Sequence, residues 1–133
     1  MKKLTALLLA VLLVFGLAAC AGSPAEPNAK PGDTMTLQDI LTSITKDVAD
    51  LPDTETTELT KDNFEYFAFT AMPDGVEAIA ADALINAVAH SVVLMRAQDA
   101  ETAKKLAADV EANLNPAKWV CVEAEKTAVL VHN

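Results

Sequence analysis

Three groups of residues in this chain have types and spacing that could do chemistry: a thiol, a hydroxyl beside an imidazole, and a cluster of aromatic rings. The thiol is Cys20, which follows Leu17-Ala18-Ala19 where an unbroken apolar run turns polar. The hydroxyl and imidazole are Ser91 and His90. Neighbours on a strand point to opposite faces, so these two cannot form a nucleophile–base dyad with each other. Ser91 would need His132, close to the C-terminus, and no nucleophile-elbow glycine pattern surrounds it. No catalytic residue is therefore expected. The two histidines lack paired metal-ligand spacing. Asp53, Glu55, Glu58 and Asp62 lack the central glycine and alternating ligands of a calcium loop, so they read as a solvated acidic loop. No metal and no cofactor is expected.

The rings are the better binding candidates. In "FEYFAFT", residues 64–70, a strand reading puts Phe64 and Tyr66 on one face and Phe67 and Phe69 on the other, with Trp119 free to join either set. An exposed aromatic face could stack on a sugar or grip a peptide. The stronger reading is core, because aromatic strands usually fill interiors and this chain has few other large side chains.

The segment before Cys20 explains its setting. Lys2 and Lys3 give a positive start, and Ala6 to Ala19 are all apolar or glycine. This is the layout of a signal peptide, and the run is shorter than the about 20 apolar residues a spanning helix needs. Leu17-Ala18-Ala19-Cys20 resembles the lipobox of bacterial lipoproteins. That resemblance implies cleavage before Cys20, diacylation of its sulfur, and often acylation of the new amine. Two or three acyl chains make a lasting anchor where one binds only marginally. The expected location is the outer face of the cytoplasmic membrane, held through Cys20.

Charge narrows the partners. The 133 residues carry 10 Lys+Arg and 19 Asp+Glu, a net charge of −9. Residues 1–19 hold two of the basic residues and no acidic one, so removing them takes the charge to −11. An acidic domain is repelled by an anionic membrane face, and without a basic stripe it is not expected to bind nucleic acid. The protein or small-molecule ligand is left open. Once Cys20 is acylated, Cys121 has no disulfide partner and reads as a small core residue.

The elements that must position these residues follow from pattern. Residues 20–35 form a Pro/Gly linker, able to hold a domain about 40 Å from the bilayer at the extension of Pro-rich chains. The domain proper spans residues 36–133. Leu37, Ile40, Leu41, Ile44, Val48 and Leu51 predict a helix over 36–51, capped by Thr36 with Asp39 three residues on and stopped by Pro52. Residues 53–63 read as loop, 64–70 as strand, Met72 to Gly75 as a turn, and 76–87 as an alanine-rich helix. Residues 89–97 read as strand, and Asp99 caps a helix that ends at Asn115-Pro116. Residues 118–131 read as extended, in two short strands about a polar middle. The expected fold is α+β: a small mixed sheet with about three helices in α-β-α-β-α-β order, with a C-terminal strand either present or lacking.

A second resemblance covers most of residues 36–131. Ala89-His90-Ser91-Val92-Val93, Asn115-Pro116, Lys118-Trp119 and Cys121-Val122-Glu123-Ala124-Glu125-Lys126, with "TTELTKDNFEYF" at 56–67, resemble uncharacterised lipoproteins of Gram-positive anaerobes. The layout is similar to the family called domain of unknown function 4358. The resemblance implies a lipid-anchored α+β domain and brings no activity or functional residue. In that group the last of these stretches leads through a glycine-containing turn to another apolar strand, whereas this chain stops at Asn133. The expectation is a truncated frame or an exposed sheet edge, which is an aggregation liability. The function expected from all this is a lipid-anchored, non-catalytic binding or interaction module. A small membrane-tethered hydrolase using Ser91 or an acidic pair, or a structural cell-envelope protein, are the alternatives.

Overall fold

A computed structural model describes residues 31–132. The lipobox residues Leu17, Ala18 and Ala19, and the acyl acceptor Cys20, lie outside the described residues. The chain divides into two compact units, residues 1–34 and 35–133. Of the first, only Pro31–Thr34 is described, a single helical turn, α1.

The second unit is an α+β fold. Its order is α2 (Leu37–Thr45), β1 (Thr54–Glu58), α3 (Phe64–Ala68), β2 (Glu77–Ala83), β3 (Ser91–Arg96) and α4 (Ala100–Asn113). The three strands make one sheet in the order β1-β2-β3, and both pairings are antiparallel. The mixed sheet expected from sequence is thus corrected. A parallel pair needs a crossover of a dozen or more residues. The stretch that would have supplied it, 76–87, is itself mostly the central strand.

That strand is the instructive misreading. Alanine is the best helix former, and Ala78, Ala80, Ala81 and Ala83 invite a helix. Yet β2 is covered on both faces, and small side chains let the helices on either side approach it. Ala78 and Ala80 are buried in the cluster of Leu59, Phe64, Ala68, Val76, Leu106 and Val110. Ala81 points the other way, into a hollow shared with Leu41 of α2. The result is three layers: α2, the sheet, and α3 with α4.

The aromatic strand is also corrected. Phe64 and Ala68 are four residues apart and both buried, which is helical spacing. Phe69 ends α3 in the left-handed conformation, with φ of 60°. Asn63 prepares its start: its side chain accepts from Thr60 N–H at 2.7 Å and donates to the Glu58 carbonyl at 3.1 Å. Immediately before, the acidic segment read as loop contains β1. Its threonines are β-branched and suit a strand, and Glu55 and Glu58 stay exposed at the sheet edge.

The capped helices follow their sequence signals. Thr36 accepts from Asp39 N–H at 3.1 Å, and its hydroxyl donates to the Asp39 carboxylate at 2.8 Å. The helix stops at Thr45 rather than Leu51. The Thr42 and Thr45 hydroxyls bond back to the carbonyls of Gln38 and Leu41, Val48 N–H closes a turn onto Thr45, and Ile44 and Val48 lie exposed. Asp99 caps α4, accepting from Thr102 N–H at 2.7 Å and its hydroxyl at 2.9 Å. Those donors hold the Asp99 carboxyl below its ordinary value.

Two ties close the frame. Arg96, at the end of β3, donates to Glu77 across the strands at 2.9 Å and also to the Met35 carbonyl just before α2. In the turn before β2, Gly75 has φ of +74°, and a Cβ there would meet the Gln98 side chain. Residues 114–132 join no helix or strand. The two C-terminal strands expected from sequence are therefore absent from the described residues; Ala124 N–H bonds to the Pro116 carbonyl at 2.8 Å instead.

Candidate functional site

The site grows from a cross-strand pair. In the β2–β3 register Asp82 lies opposite Ser91, on the same side of the sheet as Ala80 and Val93. Lys118 reaches this pair from the C-terminal segment. Its ammonium donates to the two Asp82 carboxylate oxygens at 3.0 and 2.9 Å and to Ser91 Oγ at 3.0 Å. A lysine has three donors and no acceptor, so all three are spent here. The side chain is 6% exposed, and that of Asp82 is 25% exposed.

Rings complete the enclosure. The Lys118 ammonium lies 5.1 Å from the centre of Trp119, 5.3 Å from Phe67 and 5.9 Å from Tyr66. Tyr66 and Phe67 meet edge to face, with centroids 4.9 Å apart at 87°. A cation over aromatic faces gains about 0.5–2 kcal/mol depending on desolvation. The pairing also makes Lys118 a fastener: it ties an otherwise irregular segment to the end of the sheet.

Beside this fastener lies a cavity of about 500 Å³ between β3, α4 and the C-terminal segment. Val93, Met95, Leu106, Val110, Leu114 and Val129 give it apolar walls. Trp119, His90, Lys126 and His132 also line it. None of its lining residues is an aspartate or a glutamate, in a chain where acidic residues outnumber basic ones nearly two to one.

Of the four aromatic candidates, three converge. Tyr66, Phe67 and Trp119 surround Lys118, while Phe64 is fully buried in the core and is removed from any binding surface. The face-sharing expected from a strand fails because the segment is helical. His90 and Ser91 both line the cavity, and Ser91 is bonded to Lys118. Cys121 is exposed, against the expectation of a core residue, because it sits in the segment that joins no sheet. Among the described residues no three of His, Cys, Asp and Glu gather as a metal-binding group.

Lys118 and Asp82 were not singled out from sequence. The available signals were small: an aspartate inside an alanine-rich apolar stretch, and a lysine next to the single tryptophan. Compared with family models, curated proteins and solved structures, the chain matches none.

Proposed function

We propose that this protein is a lipid-anchored, extracytoplasmic and non-catalytic binding module, tethered through Cys20, whose ligand enters the cavity beside β3. The observation that carries this reading is that cavity, with its apolar walls and no lining carboxylate. A volume of about 500 Å³ is within the range of ligand sites, which are mostly apolar with a few placed polar groups. A purely structural envelope role would need no such concavity.

A hydrolase reading would start from Ser91 Oγ at 3.0 Å from Lys118 Nζ. A general base must offer a lone pair to the nucleophile's proton. Lys118 instead donates to Ser91 and is engaged by both oxygens of Asp82. That arrangement favours a fastener over a base, and labelling of Ser91 by a fluorophosphonate would reverse the judgement.

The test has two arms. Fatty-acid labelling should mark the wild-type protein and not Cys20→Ser, and Cys20→Ser should leave the membrane fraction on a salt wash. Retention after the wash would overturn the anchor. The mature chain carrying Cys20→Ser should bind an anilinonaphthalene sulfonate dye saturably with its thermal transition intact. Filling the cavity with Ala107→Leu should weaken that binding several-fold. Dye binding unaffected by this change would remove the cavity as the site.

A further inference from the structure

The two edges of the sheet are not equivalent. Ala83 N–H donates to the His90 carbonyl, and the register continues Ala81↔Val92 and Ile79↔Leu94. In an antiparallel ladder, hydrogen-bonded pairs alternate with pairs whose backbone groups face away. Val92 and Leu94 therefore direct their backbone groups to β2, whereas Ser91, Val93 and Met95 direct theirs outward. Among the described residues no strand lies beyond β3. These same three residues line the cavity.

An open edge is a template for another strand, and proteins blunt it with charge. On β1, Glu55 and Glu58 do so. β3 contains no carboxylate, and the residues whose backbone groups point outward line the cavity. A hydrocarbon filling that cavity would leave nearby N–H and C=O groups without partners, which is costly. A peptide strand would satisfy them and bury its side chains together. The charge of the lining selects further: Lys118 is neutralised by Asp82, and Lys126 remains, against no lining carboxylate. A segment rich in lysine or arginine is disfavoured there, and a carboxylate is favoured.

We propose that β3 accepts an extended apolar segment of another protein, bearing a carboxylate at its C-terminal end, as a fourth strand of the sheet. This rests on the binding-module reading and names its partner class. Main-chain bonds would supply affinity, and the cavity would select the side chains.

The probe is a six-residue peptide of alternating valine and threonine with a free C-terminus. It is added to the mature chain carrying Cys20→Ser and followed by amide NMR. Saturable binding is expected, with the largest shifts and new exchange protection at Ser91, Val93 and Met95. N-methylation of alternate peptide bonds should weaken binding at least tenfold, amidation of the C-terminus several-fold, and a C-terminal lysine further. If octanoate fills the cavity and the peptide does not bind, the strand proposal falls and the binding module stands. If the peptide, octanoate and the dye all fail to bind, both fall. If the three amides are already protected in the free protein, as a monomer or a dimer, the edge is covered by this chain itself and the proposal is overturned.

Discussion

One face of the sheet behaves in two ways along its length. Toward Ala78 and Ala80 it is dry: Phe64, Ala68, Leu59, Leu106 and Val110 close over it. Toward Asp82 and Ser91 it is polar, with a caged ammonium, while the cavity runs beside both ends, Val93 and Met95 lining it opposite Ala80 and Ala78. The buried apolar cluster lies at the first end and the Asp82–Lys118–Ser91 contacts at the second. The contrast arises from β2 itself, whose alanines give way to an aspartate two residues past Ala80.

The contrast can be broken from either end. Phe64→Ala should have the largest effect, about 3–5 kcal/mol, because it empties a fully enclosed site at the convergence of α3, β2 and α4. Urea denaturation measures it, and a loss under about 1 kcal/mol would mean the dry end is not the stabilising one. Lys118→Met should cost less, about 2 kcal/mol. It leaves the Asp82 carboxylate without its ammonium, but the carboxylate keeps some water. Adding Asp82→Asn should recover most of that loss, since a neutral pair needs no countercharge. If the double variant is no better than the single one, the rings and not the ion pair hold the C-terminal segment.

The smallest expected effect lies outside both ends and calibrates them. The Asp99 carboxyl is held below its ordinary value of 3.8 by the Thr102 N–H and hydroxyl. Its contribution is complete above the unfolded-state value and is lost as pH falls through the lower folded-state value. Asp99→Asn keeps a good cap, so it should leave the melting temperature nearly unchanged at neutral pH. It should also flatten its decline in acid. A wild-type acid profile superimposable on that of the variant would show that the cap does not titrate with folding.

What was legible from the amino-acid order was local. Thr36 and Asp99 announced their caps, and β3 and α4 lie close to where β-branched residues and three- and four-residue spacing placed them. The failures were decided by distant neighbours. Alanine favours a helix unless helices cover both of its faces, as they do at β2. Phe64 reads as strand until Ala68 is seen buried four residues on. The site was partly visible, since Tyr66, Phe67, Trp119 and Ser91 drew notice from their side-chain types. Their meeting point did not, because Asp82 and Lys118 are joined across 36 positions of chain.

Arg96 gives the architecture a mechanical sense. Its guanidinium grips the Met35 carbonyl where the domain begins and, at the same time, Glu77 on the central strand. A pull on the chain at Met35 would therefore be shared with the β2–β3 ladder instead of peeling α2 away first. Part of such a load would run through this side chain, and Arg96→Ala should lower the force at which α2 detaches.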